Sequence, residues 1–529
     1  MADIVKQYTK FIFPFTFVPE ALLPEQAKIQ SKKNKPLPLF TPFAQGNESL
    51  REGLANLLGN SGCSAQIARC LQLNVDYRKY IHLPPHPEDT LEFHPRQADV
   101  APQQVAITNI KLYLFESQVG FLELECAYSS TSIEMFSTLN YYIGEIKSKK
   151  NHFALQEKSW DAETKQATWT PHEFSVKELI DRILQQICFD RKDGELVPAE
   201  DPQQYVAFSY DREKPLVYSY LLLSDKPDDI GDLLFHLNKN YKETYLYDAS
   251  CTKVDTLHPF ENSYWTASLN GASNISYLTE NETTNAFFKG QFYQKTKDVY
   301  YFLFLNVIHQ RHAIARTMGE IGHLDKLGKD YAIMHEQLRR ARTCEENAVN
   351  LKFRAFFKYP STVIHVNEYY DLLQKAFAIN DLYNNFTQEI KNLTTICNTY
   401  VERIKQRETK LKKRKAAWTE IFVSLFGTIV AEITLFNNSW TLIERFFGHP
   451  LEIWSVPFFI LVVAVISPLF AVITNIKKQW DEIKVLSEAL YLEENDGQVE
   501  DDKTRRKKVR AFMKEMRKNH KNRKPYLYF

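Results

Sequence analysis

The sequence predicts an α+β cytoplasmic domain, a long helical stalk and a C-terminal two-helix transmembrane hairpin. Three observations predict it. Residues 1–295 alternate short strand-like and helical runs, and residues 296–415 carry helical spacing throughout. Two apolar segments then follow, 416–436 and 455–476, ahead of a charged tail at 477–529.

In the first region, Ala106 to Tyr128 alternates as a β-hairpin with Val119–Gly120 near its turn. Tyr205–Tyr210 and Val217–Leu223 read as a second strand pair. Ser175 to Cys188 and Ile230 to Asn240 have helical spacing, the first with Ser175 as a natural N-cap. Proline-rich stretches at 36–42 and 84–102 read as loops or linkers. In the stalk, Val299 to Leu305 is too short to span a membrane and reads as a buried helix face, and 330–358 as a further helix. Tyr359–Pro360–Ser361 breaks the pattern. Beyond it Ile379, Leu382, Phe386, Ile390, Leu393, Cys397, Tyr400 and Ile404 form an apolar stripe of coiled-coil type. No proline interrupts Ser361 to Phe436, so stripe and first apolar segment are expected to be one helix of about 114 Å.

Composition narrows the chemistry. Glycine is scarce, 16 in 529 residues against a usual share of about 7%, and no G-x-G-x-x-G or G-x-x-x-x-G-K-[ST] occurs. Folds that cradle phosphate on glycine-rich turns are therefore disfavoured. Seven scattered cysteines with no C-x-x-C read as reduced thiols in a cytosolic body. Met1 to Glu20 does not read as a signal peptide, because Pro14 and Pro19 break its short apolar run. H-E-x-x-H, a nucleophile elbow and an acidic calcium loop are all missing, so no enzyme is expected and no metal is assigned. His309 and His312 beside Arg311 read as a polar helix edge.

The hairpin rests on length and flanking charge. Ser455 to Ile476 is 22 residues without a charge, about 33 Å as a helix against a bilayer core of about 30 Å. Ala416 to Phe436 carries Glu420 and Glu432. A basic collar from Arg403 to Lys415 precedes it, and the connecting stretch Asn437 to Trp454 holds one arginine. The positive-inside rule then places body and tail in the cytoplasm, in a multi-pass protein of the inner membrane.

Within the first segment Glu420, Ser424, Thr428 and Glu432 share an arc with Gly427 and Ala431. This is either a small-residue packing face or a pore wall in a homo-oligomeric ring, with Glu432 as a carboxylate ring that favours cations. Asn437 and Asn438 either offer oxygens at an ion mouth or end the helix. In the body, Tyr264, Trp265, Asn270, Ser273 and Asn274 combine aromatic surface with small hydrogen-bonding groups, which suits a nucleotide-like ligand or a strand and turn; Arg311 is a further candidate contact. Residues 503–524, rich in Lys and Arg, fit anionic lipid of the inner leaflet, with nucleic acid as the alternative.

A cytoplasmic α/β body, a long helix entering the first of two C-terminal spans and a basic collar together resemble the CorA family of divalent-cation channels. The family's Gly-Met-Asn is absent: the position reads Leu435–Phe436–Asn437–Asn438–Ser439–Trp440. The body, and Tyr300–Tyr301–Phe302–Leu303–Phe304–Leu305 with His309–Gln310–Arg311 following, are similar to the CorA-like membrane proteins associated with type III CRISPR systems. That resemblance implies a ligand-gated channel or effector in antiviral defence, opened by a nucleotide messenger of the S-adenosylmethionine–AMP type and leaking ions across the lipid bilayer. The alternatives are a CorA-type magnesium transporter, for which a divalent cation is the cargo, and a membrane-tethered nucleic-acid-binding scaffold.

Overall fold

The computed structural model describes residues 2–447 apart from 31–35, 44–49, 51–67, 98–99, 130–131, 161–166, 193–194, 209–213, 243, 249, 251–253 and 323–330. The chain divides into two compact units, Met1–Ile404 and Lys405–Phe529.

The first unit is built on a mixed thirteen-stranded sheet. Its strands are β1 (Ile4–Phe17), β2 (Phe40–Pro42), β3 (Ala68–Leu73), β4 (Leu91–His94), β5 (Gln103–Phe115), β6 (Val119–Tyr128), β7 (His152–Trp160), β8 (Ala167–Phe174), β9 (Val206–Phe208), β10 (Leu216–Leu223), β11 (Thr256–Phe260), β12 (Ser263–Ser268) and β13 (Gly271–Tyr277). The main path runs β8-β7-β4-β5-β6-β1-β10-β13-β12-β11, with β9 on β1 and the β2–β3 pair on β5. Among the described strands only β10 and β13 pair in parallel. The β5–β6 hairpin forms as the alternation predicts. β9 and β10 do not pair with each other, because both lie against β1, β9 at its Phe15–Phe17 end. The proline-rich stretches also contribute strands, β2 and β4, where their backbones complete the sheet beside β3 and β5.

Helices cover both faces, so alternate residues on a central strand enter different cores. On β1, Phe11, Phe13, Phe15 and Phe17 face α1 (Ile133–Ile143), α2 (Val176–Ile187) and α3 (Ile230–Lys239), whereas Tyr8 and Ile12 face the other side. Ser175 caps α2 in a full capping box with Glu178. The second face is roofed by α4 (Tyr301–Gly322) and α6 (Ile364–Ala376), and Val299–Leu305 is buried there as expected. α5 is Tyr331–Ala355 and α7 is Ile379–Phe447.

The predicted 76-residue rod is broken: Phe377 ends α6 and Ala378 takes φ 50°, a left-handed residue that separates α6 from α7. The first part of the α7 stripe packs within the unit, and nothing is described for the side chains of Cys397, Tyr400 and Ile404. Phe386 and Ile390 bury against Ile314 of α4 and Cys344 and Ala348 of α5.

The transmembrane hairpin is corrected. Among the described residues no helix is long and apolar enough to cross a membrane. The segment 416–436 is not a span closed by a loop, because α7 continues through Asn437, Asn438 and Ser439 to Phe447, and Glu420, Ser424 and Thr428 interrupt its apolar residues. Asn437 and Asn438 accordingly lie inside a helix and do not end one. The second segment, 455–476, and the basic run 503–524 lie outside the described residues.

Candidate ligand-binding site

β1 and β6 place charge where their patterns place apolar side chains. Strand pairing sets Lys10 directly opposite Glu125, with Glu123 opposite Ile12. All three side chains point towards the roofed face. Lys10 is 1% exposed and Glu123 0%. Lys10 Nζ faces Glu123 Oε1 at 3.2 Å, off the hydrogen-bond direction, and Glu125 Oε2 at 3.7 Å. It also sits 3.7 Å above the Tyr301 ring. Glu123 Oε2 accepts from the hydroxyls of Tyr113 (2.9 Å) and Tyr301 (2.6 Å). Glu125 Oε1 accepts from Lys297 at 2.7 Å. Lys10, Lys297, Glu123 and Glu125 thus form an ionic quartet, with Lys111 of β5 set opposite Glu123, and Tyr301, the first residue of α4, donates to it.

The fourth member arrives on an irregular backbone. Between Phe288 and Tyr300 the helix leading into α4 contains two π turns, Phe288–Phe292 and Thr296–Tyr300. A π turn redirects backbone carbonyls, and here tyrosines of the sheet take them up. Tyr218 donates to Thr296 O at 2.7 Å and Tyr220 to Phe288 O at 3.4 Å, while Tyr8 donates to Thr296 Oγ1 at 2.9 Å. Lys297 lies on the second π turn and Tyr293 just before it. On the other side, β5 has a bulge between Ile107 and Asn109, next to Thr108.

These irregularities border one cleft of about 300 Å³. It is lined by Gln7 and Tyr8 of β1, Gln72 of β3, Asn109 of β5, Glu125 of β6 and Lys297 of the π turn, among others. Gln72 Nε2 donates to Asn109 Oδ1 at 2.8 Å. Glu125 and Lys297 are the members of the quartet that reach this cleft, at 4% and 24% exposure. Burial alone would raise the Glu125 pKa, but Lys10, Lys297 and Lys111 outweigh it and hold the carboxyl down to about 2.

A pH dependence follows. Glu125 is depressed in the folded state, so its contribution is present above the ordinary carboxylate value and is lost as pH falls towards about 2. Between about pH 4.5 and 2 the wild type should lose about 3 kcal/mol through this group. Glu125→Gln should flatten that limb of the stability–pH curve, measured by urea unfolding; an unchanged limb would mean that other carboxylates carry it.

The residues singled out in the sequence lie elsewhere. Tyr264–Asn274 is the β12–β13 hairpin. Trp265 is fully buried and stacked on Tyr300 at 4.6 Å, and Tyr264 stacks on His258 at 4.0 Å. Asn270 Nδ2 donates to Lys239 O (2.8 Å), Ser273 Oγ meets Ser219 Oγ (2.7 Å), and Asn274 Nδ2 donates to Ser263 Oγ (3.1 Å). The polar groups of Asn270, Ser273 and Asn274 are engaged within the sheet and its neighbours, whereas the buried Trp265 Nε1 has no hydrogen-bond partner among the described residues. Arg311 donates to Phe377 O at 3.0 Å, across to the end of α6. None of these residues lines the cleft.

Of the α7 candidates, Glu420, Ser424 and Thr428 are exposed, and Thr428 Oγ1 donates back to Ser424 O at 2.9 Å. Nothing is described for the side chains of Glu432, Asn437 and Asn438.

His309 and His312 are not a helix edge; both are buried. His309 Nε2 lies 2.9 Å from Ser117 Oγ, a spacing that invites a nucleophile–base reading. Among the described residues its Nδ1 has no hydrogen-bond partner, so the third group a triad needs is not found there, and its ring stacks on Phe115 at 3.9 Å. Burial, with His312 alongside, pushes its pKa down to about 3, which suits a neutral ring at neutral pH. Among the described residues no group of three or more His, Cys, Asp or Glu is placed to hold a metal ion.

Lys10, Glu123, Glu125 and Lys297 escaped the sequence reading. The available signal was Glu at alternate positions of a strand whose other residues are apolar, together with a lysine in the middle of β1. No family model and no curated protein matches this chain.

Proposed function

We propose that this chain is a ligand-responsive effector, in which the Met1–Ile404 unit takes a small nucleotide-type ligand into the cleft beside the π turns. The observation that carries the reading is the Glu125–Lys297 pair. It reaches the cleft on one side and the buried quartet on the other, and the quartet holds the first residue of α4 through Glu123 and Tyr301. A ligand that engages Lys297 therefore changes the electrostatic balance beneath the roof helix. Buried ionic clusters are costly to build, so one that opens onto a cleft is a candidate functional site. The nucleotide class comes from the resemblance to CorA-like proteins of type III CRISPR systems, and with it the antiviral setting.

The ion-conducting hairpin is not carried forward. A lipid surface remains the proposed partner of the second unit. There Lys410, Lys412, Lys413, Arg414 and Lys415 are exposed, followed by exposed Trp418, Ile421, Phe422 and Phe426, a basic-then-apolar order that suits anionic headgroups over acyl chains.

The test is calorimetric titration of the S-adenosylmethionine–AMP conjugate into the full-length protein. Saturable binding is expected, weakened at least tenfold by Lys297→Met. Equal affinity in both proteins would remove the cleft from the account.

A further inference from the structure

At the β8–β7–β4 end of the sheet, alternation divides the side chains between the two faces. Phe93, Phe153 and Phe174 stand in one row across the three strands and are buried in the core that holds α1 and α2. The residues on either side of that row take the opposite face. There Glu92, Ala154 and Glu173 lie in register, and His94 lies opposite His152. This face is open to solvent here, with His94 and His152 33% and 27% exposed.

The two imidazoles stack with centres 4.8 Å apart and planes 3° from parallel. His152 Nδ1 lies 3.2 Å from Lys150 O. A carbonyl only accepts, so Nδ1 carries the proton and the neutral ring presents Nε2 as a lone pair. That Nε2 faces Glu173 Oε2 at 3.8 Å, and His94 Nε2 faces Glu92 Oε2 at 3.7 Å. A lone pair set towards a carboxylate leaves a place for a cation between them.

We propose that His94 and His152 form a two-nitrogen chelate for a divalent transition-metal ion, Zn²⁺, Ni²⁺ or Cu²⁺, at a site separate from the cleft. Imidazole nitrogen is the donor these ions favour. Metal–nitrogen bonds of about 2.0–2.1 Å need the two nitrogens within about 4 Å of each other. Parallel rings on facing residues of adjacent strands meet this by side-chain rotation alone. Glu92 and Glu173 suit the outer shell, accepting from metal-bound water across the small side chain of Ala154. The Lys150 carbonyl orients His152 in the manner usual for a ligating imidazole. Two protein nitrogens are fewer than a structural zinc site holds, so water completes the coordination.

The nearby cations have other positions. Arg96, two residues beyond His94, is held by Glu145 at 3.4 Å, and Lys150, two residues before His152, is exposed. Mg²⁺ demands oxygen ligands in near-octahedral geometry and is not expected to bind.

The experiment is calorimetric titration of NiCl₂ into the full-length protein, with His94→Gln and His152→Gln alongside and MgCl₂ as the control. Saturable nickel binding is expected, weakened about tenfold or more by either substitution, since loss of a ligand costs at least what loss of an outer-shell partner does. No response to Mg²⁺ is expected. Electron paramagnetic resonance of the Cu²⁺-loaded wild type needs no variant and should show coupling to two imidazole nitrogens. Nickel affinity unchanged in both variants, loss in only one of them, or a copper spectrum with fewer than two nitrogens would overturn the proposal. So would the lack of any nickel binding, which would leave two ordinary His–Glu surface pairs.

Discussion

Lys10→Met is expected to lower the unfolding free energy by about 3–5 kcal/mol, the usual cost of removing one partner from a buried ion pair. The substitution keeps the volume of the side chain but leaves Glu123 with only the Tyr113 and Tyr301 hydroxyls and Glu125 with Lys297 and more distant charge. Burial lowers the Lys10 pKa and the two carboxylates only partly restore it, so the charged form is held at a cost that Glu123 and Glu125 offset. The double variant Lys10→Met/Glu123→Gln should recover most of the loss, because the unpaired buried charge is then gone. As a control, Lys375→Met breaks the exposed pair with Asp255 (2.9 Å) and should change stability by less than about 1 kcal/mol. Urea unfolding of the four proteins measures all of this. A Lys10→Met loss no larger than that of Lys375→Met would mean that the quartet is not a tightly coupled unit.

Gly271→Ala is expected to cost about 4 kcal/mol or more, or to prevent folding. Gly271 has φ 146° and opens β13 opposite Val217 of β10. A Cβ there would lie 1.8 Å from Val217 O, a backbone atom that cannot move without breaking the parallel pairing. That pairing positions Tyr218 and Tyr220, whose hydroxyls satisfy the π-turn carbonyls, so the damage should reach the cleft. Gly290→Ala is the contrast. No atom lies within 4 Å of its added Cβ, and its effect should stay within about 1 kcal/mol. Soluble yield and thermal midpoint distinguish the two. Equal behaviour would contradict the geometry at Gly271.

Local pattern was legible where one element decides its own structure. The β5–β6 hairpin, the Ser175 cap of α2, the buried run Val299–Leu305 and the break at Tyr359–Pro360–Ser361 all follow from alternation, capping and proline. What failed depended on partners far along the chain. β9 and β10 looked like a pair, but β1 separates their roles. The α6–α7 break turns on Ala378 in a left-handed conformation, for which alanine gives no warning. The apolar character of 416–436 predicts a span, yet the helix runs on past the expected end.

The candidate site was the least legible part. Two glutamates at alternate positions of β6, Glu123 and Glu125, ordinarily mark a solvent face, and here a second helical layer covers that face. The π turns have no residue signature, and only the buried tyrosines of β1 and β10, each needing an acceptor, hint at the carbonyls above them. The Tyr264–Asn274 run stands out by composition, but the side chains of Asn270, Ser273 and Asn274 serve the sheet and its neighbours.

The central claim is that the ligand enters the cleft beside the π turns and not the β12–β13 hairpin. The most direct measurement is photolabelling of the full-length protein with an 8-azidoadenine form of the S-adenosylmethionine–AMP conjugate, followed by peptide mapping. The account predicts saturable label on peptides that carry Tyr293, Gln72 or Asn109, displaced by unlabelled conjugate. Saturable label confined to Tyr264–Asn274 would contradict it.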